Sequence, residues 1–102
     1  MLSHNVFFTL NDNSAEAKAQ LVAACKQFLS NHPGTIFFAV GSLAAEFDRT
    51  VNDRQFDVAL HVVFEDKAAH DAYQDSASHG QFIGQTEDNW KAVRVFDSYV
   101  EQ

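Results

Sequence analysis

Phe56-Asp57-Val58-Ala59-Leu60-His61-Val62-Val63-Phe64-Glu65 is the stretch that decides the fold. Its β-branched and aromatic residues read as a strand, yet apolar side chains occupy both parities. Phe56, Val58, Leu60, Val62 and Phe64 share one face, while Ala59 and Val63 lie on the other. A strand with one wet face would alternate apolar and polar residues. Other strand-like segments break the alternation too: Phe7 and Phe8 are adjacent, Ile36-Phe37-Phe38 is a run of three, and Phe96 opposes Val93 and Val95. Both faces of the sheet are therefore expected to be buried.

Working outward, His4 to Leu10 reads as the first strand, and Asn11, Asp12, Asn13 and Ser14 supply turn and N-cap chemistry. Ala17, Leu21, Ala24, Cys25, Phe28 and Leu29 then recur at helical spacing, which predicts a helix from about Ser14 to Ser30. Asn31-His32-Pro33-Gly34 ends it, because proline cannot continue the ladder and glycine suits the left-handed turn that follows. Thr35 to Val40 is the second strand, and the polar residues Gly41 to Gln55 form a long connection expected to be mobile. Phe56 to Phe64 is the third strand, Asp66 to about Asp75 a helix, His79 to about Asn89 a further helical stretch, and Val93 to Val100 the fourth strand.

The order is β-α-β-β-α-β, an α+β, ferredoxin-like arrangement with a four-stranded antiparallel sheet. At 102 residues the chain is expected to be a single domain, 1–102. Its helices suffice for one face of the sheet only. The simplest cover for the second face is the same face of another copy, an isologous contact. A homodimer is therefore predicted, its two sheets facing each other as an α/β barrel over roughly 1,600 Å² or more.

Seven basic against fourteen acidic residues give a formal charge of -7. That surface repels phosphate backbones and anionic lipid, so neither nucleic acid nor membrane is an expected partner. No stretch approaches the roughly twenty apolar residues of a membrane span. The N-terminus lacks the basic and apolar regions of a signal peptide, and Cys25 is the only cysteine, so a cytoplasmic location is the default expectation.

Candidate chemistry gathers on one side of the sheet. His4 shares a strand face with Val6 and Phe8, and Leu60 shares one with Val58, which predicts an apolar cavity with a few polar groups. A volume of about 300 Å³ or more would be the usual size for a ligand site. His61 lies on the opposite strand face from Leu60, toward the dimer interior or its rim. His70 and Glu65 flank the second helix and are expected to be solvated. No two histidines stand at a ligand spacing such as His-x-x-x-His, so no metal site and no cofactor are expected. The third strand lacks the basic and aromatic signature of an RNA-recognition motif, one cysteine excludes an iron–sulfur ferredoxin, and the four glycines are too dispersed for a phosphate loop.

Together these residues resemble the stress-responsive A/B barrel (Dabb) domain family of dimeric α+β barrels. The likeness is carried by Phe56 to Glu65, by Tyr73 nine residues after Phe64, and by His79 six residues after Tyr73. Gly80, Phe82, Trp90, Phe96, Asp97 and His4 also find counterparts in a plant cyclase of the family. Two departures stand out. Ser76-Ala77-Ser78-His79 replaces the family's His-Pro-x-His, and Leu21, Val22 or Cys25 fall where the cyclase has aromatic residues.

The resemblance implies that His79 and Tyr73 are the candidate catalytic pair. In the cyclase the counterpart of His79 is a general base, assisted by the counterpart of Tyr73, in an aldol condensation without metal or cofactor. It also implies a pocket lined by His4, Val6, Phe8, Leu21, Cys25, Val58, Leu60, Phe82, Trp90, Val93 and Val95. The bland reading is that a histidine opening a helix serves the preceding backbone and that an inward tyrosine is core. Most of the family has no established activity. The expectation is a homodimeric domain that binds a small apolar or aromatic molecule. The alternative is a cofactor-free cyclase, lyase or isomerase using His79 and Tyr73, and a minor alternative is a monooxygenase-like dimeric barrel.

Overall fold

The computed structural model describes all 102 residues, Met1–Gln102. Strand β1 spans Leu2–Leu10, helix α1 Ala15–Leu29, β2 Thr35–Ser42, β3 Val58–Phe64, α2 Lys67–Gln74, α3 Ala77–Thr86, and β4 Trp90–Tyr99 after a single 3-10 turn at Glu87–Asn89. The four strands form one sheet in the order β2-β3-β1-β4, with every neighbouring pair antiparallel. This is the expected α+β, ferredoxin-like fold.

Local chemistry sets the helix starts. Ser14 Oγ accepts from the Ala17 N–H, Asp66 Oδ1 from the Ala69 N–H and Ser76 Oγ from the His79 N–H, each serving a donor that the first turn leaves free. After α1 the chain reverses through Asn31 (φ 62°) and Gly34 (φ 81°). Gly34 is required twice over. Its φ is left-handed, and a Cβ there would stand 2.5 Å from the Ala69 Cβ of α2.

Exposure along β1 alternates strictly, with Leu2, His4, Val6, Phe8 and Leu10 buried toward the helices. From α1, Leu21, Cys25, Phe28 and Leu29 meet them, and with Val58, Leu60, Val62, Phe64, Tyr73 and Phe82 they close one core. Burial of this apolar surface is the main stabilising term, at about 25 cal/mol per Å² removed from water.

The other face is left open by the chain's own helices, which were expected to suffice for one face only: Phe37 is 54% and Phe96 53% exposed. Strand register places Ser3, Val63 and Phe37 in one cross-strand row, Asn5, His61, Ala39 and Phe96 in the next, and Phe7, Ala59 and Gly41 in a third. Phe7 and Phe96 meet edge to face at 5.7 Å.

Several boundaries also move: β1 starts at Leu2 rather than His4, α3 at Ala77 rather than His79, and β4 at Trp90 rather than Val93. Strand β3 starts at Val58 rather than Phe56, whose ring packs on Phe7 at 5.0 Å on the uncovered face, the opposite side from Val58. Gly41 and Ser42 belong to β2. The connection that follows is anchored at its far end, where Arg94 Nη1 donates to Asp53 Oδ2 at 2.8 Å and Thr9 Oγ1 to the Gln55 carbonyl at 3.0 Å.

Candidate functional site

Helices α2 and α3 are joined through one serine. Ser76 Oγ donates to the Tyr73 carbonyl at 2.8 Å and accepts from the His79 N–H at 3.2 Å, so the end of one helix and the start of the next share a single hydroxyl. The serine-rich turn thus replaces proline with a cap. Ser78 lies 3.2 Å from His32 Nε2, which also donates to the Phe28 carbonyl at 2.9 Å. A carbonyl can only accept, so that bond fixes the proton on Nε2 of His32.

This arrangement drives Tyr73 into the core, 1% exposed. Its ring touches Phe64 (5.0 Å between centroids), His32 (5.1 Å), His79 (5.1 Å) and His4 (5.9 Å). His79 therefore meets Tyr73 edge to face rather than through a hydrogen bond. Burial raises the phenol's pKa above its ordinary value of 10.0, so it stays protonated. The His79 pKa is lowered, first by burial and then by the positive charge that His4, His32 and His70 can carry. A neutral imidazole results at neutral pH, which can accept a proton.

His4 sits on β1 opposite Asp97 in the β4 register. Its Nδ1–H donates to Asp97 Oδ1 at 2.5 Å, and the Gln74 amide nitrogen lies 3.3 Å from Nε2. His4 is buried while the Asp97 side chain is 45% exposed, so the pair bridges interior and surface.

A cavity of about 180 Å³ lies between sheet and helices beside these groups. His4, Val6, Phe8, Leu60, Tyr73, His79, Phe82, Trp90, Val93 and Val95 all line it. It opens beside the edge strand β4, where Val93 and Val95 are 37% and 50% exposed. The volume is below the expected 300 Å³ because Phe8, Phe82 and Trp90 pack against one another at 5.4 to 6.1 Å and fill its floor.

Leu21, Cys25 and Val58 are not on its wall. All three are sealed in the core, and Leu21 also borders a separate hollow between α1 and the end of α3. Leu29, one turn beyond Cys25, takes the place expected of it. Burial pushes the Cys25 thiol up to about 12. Gln74 and Ile83 are further lining residues, and their signals were faint: one follows Tyr73, the other lies one turn after His79.

His61 is on the uncovered face, donating from Nδ1 to Asn5 Oδ1 at 2.7 Å. His70 is not solvated as expected. Its side chain is 17% exposed and packs 5.1 Å from the His4 ring and 5.7 Å from Phe64, because the short helix α2 turns it inward beside Tyr73.

Comparison with known proteins bears on this geometry. A Dabb family protein with a ferredoxin-like fold from Mesorhizobium loti superposes with a TM-score of 0.79 at 20% identity, over 99% of this chain and 97% of that one. A dimeric ferredoxin-like protein of unknown function from Thermobifida fusca gives 0.78 at 17% identity, over 97% and 90%. The hydroxynitrile lyase from Passiflora edulis gives 0.77 at 17% identity, over 99% and 94%. No curated protein matches the chain, and no helix is long and apolar enough to cross a membrane. At these identities the structures speak for the fold alone. Residues 2–100, however, match the family model itself, so sheet, helices and the histidine-ringed tyrosine are those of a chain that belongs to the stress responsive A/B barrel domain family.

Proposed function

We propose that this chain is a homodimeric domain that binds a small apolar or aromatic molecule in the cavity between its sheet and helices. The observation that carries the reading is the cavity's composition. Ten of its thirteen lining residues are hydrophobic, and the three others, His4, Gln74 and His79, can hydrogen-bond. Apolar walls with a few fixed polar groups are the common form of a small-molecule site. Its 180 Å³ sets the scale of the ligand at about one ring, since a cavity of roughly 150 Å³ accommodates benzene. Trp90, on the same wall, has a buried indole N–H without a protein acceptor, which favours a ligand carrying a carbonyl or hydroxyl oxygen.

The dimer follows from the uncovered face. Phe7, Phe37, Val63 and Phe96 are apolar groups on a face that one chain leaves open, and the Thermobifida fusca relative in fold is described as dimeric. An isologous contact would bury this face on both copies at once.

Trp90 is the only tryptophan, so its emission reports on the cavity directly. Titration with single-ring alcohols, aldehydes and ketones is expected to give a saturable change that Val95→Phe, at the mouth, abolishes. No response from any of these compounds, or the same response from Val95→Phe, would refute the binding reading.

One observation favours a catalytic second reading: His79 gives its backbone N–H to Ser76, but its neutral ring makes no hydrogen bond to the protein. The same fold carries a hydroxynitrile lyase. Cofactor-free cyclase, lyase or isomerase chemistry would then use His79 as the base and Tyr73 as a donor. Turnover lost in His79→Ala with ligand binding retained would support it.

A further inference from the structure

His4, His70 and Asp97 come from three different elements, β1, α2 and β4, and one ligand atom of each lies within 4.8 Å of the others. None of the three pairs has a regular ligand spacing in sequence, so the set is visible only once the chain is folded. Three features distinguish it from a chance grouping of surface groups. His4 is 4% exposed and His70 largely buried. The His70 Nδ1–H donates to Asp71 Oδ1 at 2.9 Å, which fixes the tautomer and leaves Nε2 with its lone pair. That Nε2 is buried and has no protein donor.

We propose that His4, His70 and Asp97 form a binding site for a divalent transition-metal ion at the edge of the cavity. Two imidazoles and one carboxylate suit zinc and its first-row neighbours and are a poor set for magnesium or calcium, which prefer oxygen ligands. The proton shared by His4 Nδ1 and Asp97 Oδ1 across 2.5 Å is the one the cation replaces. A tetrahedral set spaces its ligand atoms at roughly 3.4 Å. The half-exposed Asp97 side chain can swing toward that spacing, and a small shift of the His70 ring about its Asp71 hydrogen bond brings its Nε2 in from the present separation. Part of the outer shell is in place: Asp71 holds His70, and the Gln74 amide beside the far nitrogen of His4 needs only to flip its oxygen inward to accept the Nε2–H of a ligating His4. Three ligands leave a fourth position for water or an anionic group. Because His4 also lines the cavity, the cation would lie one imidazole from any molecule bound there.

The test is calorimetric titration of chelator-treated, dialysed full-length protein with zinc, repeated with cobalt to read the visible absorption of a tetrahedral site. One ion per protomer is expected, with no response to magnesium. His70→Ala and, separately, Asp97→Asn should each weaken binding at least about tenfold, as removal of even an outer-shell partner does. His61→Ala, on the opposite sheet face, should bind like the parent. Each variant's fold is checked by the inaccessibility of Cys25 to a thiol reagent. Absence of binding in the parent, or equal affinity in the folded His70→Ala variant, would overturn the proposal and identify any heat as adventitious histidine binding.

Discussion

On β1, Leu2, Val6, Phe8 and Leu10 turn toward the helices and are at most 7% exposed, whereas Ser3, Asn5, Phe7 and Thr9 turn to the face that no helix covers. The adjacent rings of Phe7 and Phe8 therefore stand in different environments. One face is a finished core interrupted by a cavity and a cluster of imidazoles. The other is a half-finished layer in which Phe96 shares a row with Asn5 and His61, while Phe37 and Phe7 stand in the rows on either side. The difference shows that side-chain parity separates apolar residues that build the core of their own chain from those it leaves for the proposed contact with a second copy.

The strongest way to break the contrast is Phe8→Ala. Phe8 is 2% exposed, and its loss should cost about 3–5 kcal/mol in denaturant unfolding, the usual cost of deleting a buried aromatic ring. A cost under about 1 kcal/mol would mean that the helix-covered face is not the structural core. Phe96→Asp acts on the other face. It should leave each protomer folded while the species in sedimentation drops from twice 11.4 kDa to 11.4 kDa. If the mass is unchanged, the uncovered face is not the dimer contact.

A smaller effect concerns the imidazoles. The folded pKa of His79 is depressed below its ordinary 6.5, so the unfolded chain binds the proton more readily. Its contribution to stability is full above pH 6.5 and is lost as pH falls through the lowered folded value. Melting temperature should therefore decline in that window, and His79→Ala should flatten the decline. An unaltered profile in the variant would remove His79 from the titration.

Much of this contrast was legible in the sequence. The run Phe56 to Glu65 and the paired Phe7-Phe8 reported two apolar faces, and helical spacing located α1 within a residue or so at either end. Parity failed at Phe56, because the chain has not yet entered the ladder there and its side chain is free to follow Phe7. Within α1, periodicity identified Leu21, Cys25 and Leu29 as inward without distinguishing which turn meets the cavity. His70 was beyond the reach of the sequence for a different reason. On a helix of eight residues its orientation is set by Tyr73 and His4, and the latter arrives from the far end of the chain.

One irregularity in β2 has a consequence for solubility. The register slips between Thr35 and Phe37, so Ile36 is an extra residue on a strand at the margin of the sheet. That kink interrupts the row of free amide and carbonyl groups along an otherwise sticky Ile-Phe-Phe segment, which would invite a foreign strand to zip onto it. The bulge at Ile36 thus makes the opening residues of this edge strand a poor template for a foreign strand.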